Sequence, residues 1–293
     1  MDNKYYISVV GKSNVGKSTL INHLCNNYVT SSSSKPQTTR INLYNDFKIN
    51  NLDISIIDTP GISINQNNLL STSMKNEYLK TLDNINLLIL MTDTLKFSKF
   101  ENQIINLSSI NNKIIYVVNK IDKLTMDNDY SQSIETLKDL YNEKIYFISL
   151  TKKLGLKNLI DNGIVKNLLL LKNNSIDSHH HLSDDKLLIQ ELIRGVIVEN
   201  TKYELPYDSA VKVISFNKEK KLKKVIANIY VDKNNQKKII IGKNGEMLKL
   251  IGSQSRKILE NNFKCKFFLN LEVLVEKNWK NNYVFLKDIG YIR

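Results

Sequence analysis

The sequence is poor in cysteine, proline and glycine: its 293 residues include 2 Cys, 3 Pro and 10 Gly. Because Cys25 and Cys265 lie far apart in the chain, neither a disulfide framework nor a cysteine-based zinc site is expected. No apolar run reaches the ~18 residues that a membrane span needs, and the first residues show no signal or transit peptide. We therefore expect a protein of the reducing cytoplasm.

The net charge of +13 is concentrated in the last third of the chain. Residues 186–293 carry 22 Lys and Arg against 11 Asp and Glu, whereas residues 1–185 carry 20 and 18. This asymmetry favours a polyanionic partner for the last third, most simply a nucleic acid. The alternative is compositional drift from an A/T-rich genome, although residues 1–185 share that bias without the charge excess.

The length predicts two domains, of which the first covers residues 1–171. In this part, short apolar runs rich in β-branched residues alternate with longer helical patterns, which predicts an α/β domain with a mainly parallel sheet. Its ligands would bind at the carboxyl ends of the strands. The predicted strands cover 5–10, 52–57, 87–92, 113–118 and 145–148, and the predicted helices cover 17–26, 73–82, 100–108, 131–141 and 156–171.

A polar stretch at residues 172–185 is predicted to be a linker. It contains three histidines at 179–181, for which a solvated linker is favoured over a metal site because adjacent residues point in different directions. The second domain, residues 186–293, is predicted to be a smaller α+β unit. Its predicted elements are a helix at 186–199, strands at 210–217 and 224–231, helices at 246–250 and 253–262, and a strand at 266–276.

A phosphate-binding pattern, Gly-x-x-x-x-Gly-Lys-Ser, follows the first predicted strand and opens the first predicted helix. The glycines would let backbone N–H groups face the phosphates, Lys17 would reach the β- and γ-phosphates, and the Ser18 hydroxyl would bind Mg²⁺. The alternative is a simple turn that contains glycine. The matching residues are Gly11, Lys12, Ser13, Asn14, Val15, Gly16, Lys17 and Ser18, with Thr19 next in the helix.

Two further motifs follow predicted strands. After residues 52–57 comes Asp58-Thr59-Pro60-Gly61, in which Asp58 can hold the Mg²⁺ shell and Gly61 can offer its N–H to the γ-phosphate. Alone, this tetrapeptide could be a plain turn.

After residues 113–118 comes Asn119-Lys120-Ile121-Asp122. A carboxylate only accepts hydrogen bonds and so matches the adjacent donors of guanine, which makes Asp122 the base-selecting residue. Asn119 would contact the base and the loop, and the stem of Lys120 would cover the ring.

The basic last third contains Gly242-Lys243-Asn244-Gly245 between an apolar run and a helix. This arrangement is typical of KH domains, in which the loop clamps a single-stranded backbone and the bases lie in an adjacent groove. Lys243 would meet a phosphate. A lone Gly-x-x-Gly is more often a helix-entry turn, but the predicted order of elements and the positive charge favour the KH interpretation.

Together these motifs resemble the Era family of translation-factor-related GTPases, and the resemblance implies a GTPase domain followed by a type II KH domain. The resemblance also implies further roles: Thr39 as the second Mg²⁺ hydroxyl, the N–H of Leu150, after Ser149, as a guanine contact, and Asn14 as a potassium ligand. The other segments that resemble the family are Gln37-Thr38-Thr39-Arg40, residues 191–194, 204–207, 236–238, 278–279 and 290–291.

The resemblance implies a GTP-hydrolysing switch that binds 16S ribosomal RNA near its 3′ end and assists maturation of the 30S subunit. Hydrolysis should be slow, because Ile62 stands where Ras-like GTPases carry a water-orienting glutamine. The potassium ion implied at Asn14, or a bound partner, should stimulate it. A cytoplasmic monomer is expected, and the basic C-terminal part permits peripheral contact with the inner membrane. Two alternatives stay open: a GTPase that acts on tRNA, and a passive RNA-binding protein whose GTPase is dispensable.

Overall fold

The computed structural model describes residues 4–12, 14–25, 40–59, 68–95, 101–102, 104, 114–123, 134–135, 137, 139, 144–171, 185–218 and 222–292. The described residues divide into two compact units. The first unit takes its described residues from Met1–Cys25, Asn42–Gly61 and Glu77–His181, and the second unit from Asn26–Ile41, Ile62–Asn76 and Leu182–Arg293.

Six strands form the sheet of the first unit, in the order β2-β3-β1-β4-β5-β6, and only β2 is antiparallel to its neighbour. Every residue of β1, β4 and β5 is buried, as expected for apolar strands that are covered on both faces. The prediction of a mainly parallel α/β sheet is confirmed. The strands are β1 Tyr5–Gly11, β2 Leu43–Ile49, β3 Leu52–Asp58, β4 Leu87–Thr92, β5 Ile114–Val118 and β6 Ile145–Phe147.

Strand β2 is an element that the sequence analysis missed. It forms a hairpin with β3, closed by Asn50 and Asn51, whose φ angles of 46° and 64° are both positive. Two positive φ values are typical of the tight turn that matches strand twist, and asparagine tolerates them well. The sequence could have indicated this hairpin, because the Asn-Asn pair follows a segment, Leu43–Ile49, that alternates buried and more exposed residues.

Three helices have described bounds in residues 4–171, and the second of them takes residues 69–76 from the second unit. Helix α1 covers Lys17–Leu24, and helix α2 covers Leu69–Asp83, which begins four residues before the predicted start because Asn68 Oδ1 accepts from the N–H of Ser71 at 2.8 Å. Helix α3 consists of the consecutive segments Leu156–Asn158, Leu159–Val165 and Lys166–Leu170, and its middle segment is π-helical. The described residues of the predicted helices 100–108 and 131–141 are helical.

The second unit contains a three-stranded sheet in the order β7-β8-β9, with β7–β8 antiparallel and β8–β9 parallel. Helices α4 and α7 pack against the sheet and against each other, and they bury a core of aliphatic side chains. The elements are α4 Asp185–Asn200, α5 Leu205–Asp208, β7 Ala210–Lys218, β8 Leu222–Val231, α6 Asn234–Ile241, α7 Glu246–Phe263, β9 Lys266–Val275 and α8 Tyr283–Asp288.

The structure corrects the predicted helices of this unit. Residues 234–241 form helix α6, of which the sequence analysis described only 239–241, as an apolar run. The separate helices predicted at 246–250 and 253–262 are one continuous helix, α7. Gly252 does not break α7, because a helix tolerates an isolated glycine at modest cost. The helix-strand-strand-helix-helix-strand order is therefore correct, although the two central helices were misplaced. Asp185, assigned to the linker, is the first residue of α4.

A buried ion pair lies within the second unit. Nη2 of Arg194 is 2.6 Å from Oε2 of Glu191, and the hydroxyl of Tyr291 donates to Oε1 of Glu191 at 3.0 Å. Burial acts to raise the pKa of Glu191, but the guanidinium groups of Arg194 and Arg40 outweigh it and lower that pKa. Glu191 is therefore held ionised in the interior, where only its partners compensate for the lost water.

We predict that Glu191→Gln destabilises the second unit by about 3–5 kcal/mol, because it leaves buried guanidinium charge without a counter-charge. Urea unfolding of the full chain, followed by the emission of Trp279, measures this, since Trp279 is the single tryptophan and is fully buried. Glu272→Gln, at an exposed position of β9, is the control and should leave the midpoint unchanged. Equal midpoints for the two variants would contradict the prediction.

Candidate functional site

The phosphate-binding pattern lies between β1 and α1, at the carboxyl edge of the first sheet. At Gly11, φ is 152° and a Cβ atom would stand 2.1 Å from the carbonyl oxygen of Met91 on β4. At Gly16, φ is 106° and a Cβ atom would stand 2.4 Å from Nδ2 of Asn119. Both positions therefore require glycine. Asn14, with φ 67°, is also left-handed, and Ser13 lies outside the described residues.

Lys17, the first residue of α1, places its ammonium against the backbone of this loop. Its ammonium donates to the carbonyl oxygens of Gly11 at 2.8 Å and Lys12 at 2.7 Å. Burial lowers the pKa of Lys17 to about 8, and the nearby carboxylate of Asp58 offsets only part of that effect. An anion bound in the loop would supply the negative charge that favours the protonated amine.

Asp58 lies fully buried at the carboxyl end of β3. The next residue, Thr59, is fixed to β1 by a hydrogen bond from its hydroxyl to the carbonyl of Val9 at 3.0 Å. Asp58 and Ser18 thus offer a carboxylate and a hydroxyl, which belong to the oxygen ligands that Mg²⁺ prefers. The predicted residues Thr39, Pro60 and Gly61 lie outside the described part of the chain.

The side-chain amide of Asn119 joins three loops at the same edge of the sheet. Its Nδ2 donates to the carbonyl of Val15 in the phosphate-binding loop at 2.8 Å. Its Oδ1 accepts from the N–H of Leu150, in the loop after β6, at 3.2 Å. The predicted loop contact of Asn119 is therefore present, and it extends to Leu150.

Lys120 adds a second connection to the phosphate-binding loop. Its ammonium donates to the carbonyl of Asn14 at 2.6 Å and pairs with the carboxylate of Asp93 at 2.7 Å. The backbone of Lys120 is left-handed, with φ 61°. The sequence analysis missed Asp93. It could have been found from its position directly after β4, because ligand-binding loops are expected at the carboxyl ends of parallel strands.

Asp122 lies in a short 3₁₀ turn, Ile121–Lys123, that follows β5. A hydrogen bond with the side chain of Ser149 is the largest cause that lowers the pKa of Asp122, and Lys123 and Lys152 act in the same direction. The exposed carboxylate is therefore ionised and able to accept two hydrogen bonds from one ligand edge. The structure brings Asp122 into contact with Ser149, which precedes Leu150 in the chain.

In the second unit, the Gly-x-x-Gly segment connects α6 to α7. Gly242 and Gly245 have φ angles of 75° and 79°, and Asn244 between them is also left-handed at 52°. A Cβ atom at Gly242 would stand 2.8 Å from the backbone nitrogen of Met247, whereas at Gly245 nothing lies within 4 Å. Lys243 and Asn244 are exposed. The loop thus presents an open, basic surface with little side-chain bulk.

A groove of about 460 Å³ begins at this loop and runs between α7 and β9. Its floor is apolar and its rim carries two cations, Lys249 and Arg256. The sequence analysis missed the residues of this groove, although their spacing of three or four places them on one face of α7. The lining residues are Gly245, Leu248, Lys249, Gly252, Ser253, Arg256, Leu269 and Leu271.

Comparisons with known proteins match both parts of the chain. A family model described as 50S ribosome-binding GTPase matches residues 6–120, and a KH domain model matches residues 204–280. The GTPase Era of Lactobacillus helveticus is 34% identical over 98% of this chain and 95% of its own length, and that of Nitrosomonas eutropha is 30% identical over 98% and 97%.

The chain belongs to the GTPase Era family. It is therefore a GTPase with a C-terminal KH domain, and both predictions are confirmed.

Solved Era structures match this chain over its whole length. A variant of Aquifex aeolicus Era bound to GDP·AlF₄⁻ has a TM-score of 0.84 and 28% identity, covering 99% of this chain and 100% of that one. Era in complex with MgGDPNP and nucleotides 1506–1542 of 16S ribosomal RNA has a TM-score of 0.83 and 28% identity, covering 100% of both chains.

Two kinds of feature are absent from the described residues. No three His, Cys, Asp or Glu side chains cluster there as ligands for a metal ion, and the histidines at 179–181 lie outside the described ranges. No helix within those ranges has the length and apolar character needed to cross a bilayer.

We predict that binding of GTP takes up protons near pH 8. With a pKa of about 8 in the free protein, Lys17 is neutral in about half of the molecules at that pH, and the triphosphate shifts it to the charged form. Calorimetry at pH 8 in buffers of different ionisation enthalpy should therefore give an uptake of about half a proton.

At pH 7 the same experiment serves as the control, because Lys17 is then already protonated in most molecules. A binding enthalpy at pH 8 that does not depend on the buffer would contradict the prediction.

Proposed function

We propose that this Era-family GTPase is a nucleotide-controlled RNA-binding protein. Its second unit would bind 16S ribosomal RNA near the 3′ end, and its role would be assembly and maturation of the 30S subunit. The proposal rests on one observation: the chain combines loops that fit a guanine nucleotide with a groove beside the Gly-x-x-Gly loop of a KH domain. The chain is also similar over its full length to the Era complex that holds MgGDPNP and 16S RNA. No observation favours tRNA instead.

A guanine nucleotide with Mg²⁺ fits the first site. The phosphates would be held by the loop residues from Gly11 to Thr19. The base would be held by Asn119, Lys120, Ile121 and Asp122, together with Ser149 and Leu150. The γ-phosphate would be faced by Asp58-Thr59-Pro60-Gly61. The buried carboxylate of Asp58 and the hydroxyl of half-buried Ser18 offer oxygen ligands for Mg²⁺, with Thr39 proposed as the third. When bound, Mg²⁺ neutralises charge on the transferred phosphoryl group.

The proposed contributions to hydrolysis come from Lys17, Thr39 and Gly61. Lys17 would hold positive charge at the β- and γ-phosphates, and the N–H of Gly61 would orient the γ-phosphate. Ile62 cannot orient water, so we infer slow intrinsic turnover. Asn14 lies in the phosphate-binding loop with φ 67°, and its side chain is proposed to hold a potassium ion that stabilises developing charge.

We predict that GTP turnover is faster in potassium than in sodium buffer and that Asn14→Gly removes the difference. Glycine tolerates the left-handed backbone and retains the carbonyl that accepts from Lys120, so the variant removes only the amide side chain. Affinity for GDP, measured beside turnover, should be unchanged and serves as the control. Equal wild-type rates in both buffers would remove Asn14 from this role.

The KH groove supports RNA as the partner of the second unit. The loop from Gly242 to Gly245, with Lys243 and Asn244 exposed, offers backbone N–H groups and a cation to a phosphate chain, and the adjacent apolar groove suits unpaired bases. The cations on its rim, Lys249 and Arg256, add to the positive charge of residues 186–293. Binding should therefore weaken with salt.

We predict that Gly245→Asp weakens binding of a single-stranded RNA with the 3′-terminal 16S sequence by about tenfold or more, because it places a carboxylate on the open side of the loop. Gly245→Asn is the matched control, since asparagine has the same shape, tolerates the left-handed backbone and carries no charge. Equal affinities of the two variants would contradict the phosphate contact.

Cross-linking and sequencing of RNA bound to the GTP-loaded protein identifies the RNA itself. Enrichment of the 16S 3′ end supports the proposal, and selective recovery of tRNA would overturn it. We further propose that nucleotide and RNA binding are coupled, so that RNA affinity differs between a GTP analogue and GDP. Equal affinities would favour a passive RNA-binding protein.

Four features stay predictions: the domain boundaries 1–171, 172–185 and 186–293, the cytoplasmic location, the monomeric state, and peripheral contact with the inner membrane.

A further inference from the structure

The sheet of the second unit has an outer face, turned away from helices α4 and α7. Side chains alternate between the two faces of a strand, so the residues of β8 and β9 that alternate with the buried core lie on this outer face. Helix α8 covers one end of it: the ring centroids of Phe285 and Tyr230 lie 4.9 Å apart, and Lys212 pairs with Asp288. The other end is exposed.

Four residues form this exposed end, which we call the open patch: Lys224 and Ile226 on β8, and Phe268 and Asn270 on β9. The parallel register places Lys224 opposite Phe268, and Ile226 opposite Asn270. Neighbouring strands lie about 4.8 Å apart and alternate residues about 7 Å apart, so the four side chains form one contiguous surface. Phe268 is 55% exposed and Ile226 is 42% exposed, so apolar surface faces solvent there.

The chemistry of the open patch suits an unpaired nucleotide. An exposed aromatic ring on a sheet, such as that of Phe268, offers a flat face on which a base stacks. The amide of Asn270 both donates and accepts hydrogen bonds, as the edges of bases do. Exposed Lys224, on the neighbouring strand, offers a positive charge to a phosphate.

A protein partner or a lipid surface fits the open patch less well. The centre of a protein interface is large and poor in lysine, whereas here only two apolar side chains lie beside a lysine and an asparagine. Attachment to a bilayer needs a broad apolar face. The open patch therefore has the composition of a base-stacking surface and not of a hydrophobic docking face.

The open patch adjoins the KH groove through strand β9. The groove is lined by Leu269 and Leu271 from one face of this strand. Phe268 and Asn270 alternate with these leucines and so lie on the other face. Because β9 is an edge strand of its sheet, RNA that leaves the groove reaches the open patch by crossing one strand. Glu272, two residues after Asn270, repels phosphate, so the RNA should keep to the end of Phe268.

We propose that the open patch is a second RNA contact, in which the ring of Phe268 stacks on an unpaired base of the strand that occupies the KH groove. The inference rests on the proposed function, in which the groove binds RNA. A KH loop clamps about four nucleotides, so a longer single strand extends beyond the groove. The open patch adds affinity for length and not for one sequence, because every base has a face that stacks.

Phe268→Ala in the full chain tests this contact with two RNAs from the 3′ end of 16S RNA. The shorter RNA, of about four nucleotides, fills the groove, and the longer one, of about twelve, contains it and extends beyond it. We expect the variant to weaken binding of the longer RNA by about fivefold or more and to leave binding of the shorter RNA unchanged, because only the longer strand reaches the ring. Phe268→Tyr keeps the stacking face and should bind both RNAs as the wild type does.

Tyr283→Ala is the matched control. Tyr283 on α8 is 54% exposed, so the variant removes a similarly exposed ring from the same unit but outside the open patch. It should change binding of neither RNA. If Phe268→Ala does not fold, Phe268→Leu keeps apolar bulk and removes only the flat ring, and the same loss for the longer RNA is expected.

Lys224→Gln examines the proposed phosphate contact of the open patch. It should reduce the salt dependence of binding by about one in the slope of log affinity against log salt concentration, and only for the longer RNA. An unchanged slope for the longer RNA would remove Lys224 from the contact.

Equal losses for the two RNAs in Phe268→Ala would overturn the proposal, because the groove itself would then be disturbed. Unchanged binding of the longer RNA would overturn it too, and so would a loss confined to self-association or to binding of vesicles that contain anionic lipid. Failure of the wild-type protein to bind either RNA would instead overturn the proposed function, which keeps the two failures distinguishable.

Discussion

The side-chain amide of Asn119 holds together the loops on which the nucleotide site depends. It bonds simultaneously to the carbonyl of Val15 and the N–H of Leu150, so the phosphate-binding loop and the base-contacting loop share one anchor. The same amide fills the space beside Gly16, where a Cβ atom would stand 2.4 Å away. Position 16 therefore requires glycine for two reasons: its φ angle is positive, and the amide of Asn119 leaves no space for a Cβ atom.

The parallel sheet makes this anchoring possible. Strand β1 lies between β3 and β4, and the carboxyl ends of these buried strands present their loops at one edge. Ligands of open α/β sheets bind at such an edge because helix N-termini and backbone N–H groups also point there. At the same edge, the ammonium of Lys120 pairs with the carboxylate of Asp93 and donates to the carbonyl of Asn14 in the phosphate-binding loop.

The second unit differs from the first site in that it buries charged side chains. Glu191, Arg194 and Arg40 form a buried charged group in which each member is satisfied by another or by a carbonyl. Such a group contributes little net stability but admits few alternative arrangements, so it defines where the chain around Arg40 lies. The groove between α7 and β9 is built differently, from a glycine loop and leucine side chains, with Lys249 and Arg256 exposed beside them.

The sequence by itself determined the α/β class, the five buried strands and the nucleotide motifs, because buried parallel strands are short apolar runs and phosphate loops need glycine at fixed spacing. It also predicted that Asp122 follows a strand and that the Gly-x-x-Gly loop precedes a helix. Only the tertiary structure decided β2, helix α6, the positions of Asp93 and Arg256, and the hydrogen-bond partners of Arg40. These depend on contacts between residues distant in sequence: Arg40 meets Ser209 across 169 positions, and no local pattern encodes such a pairing.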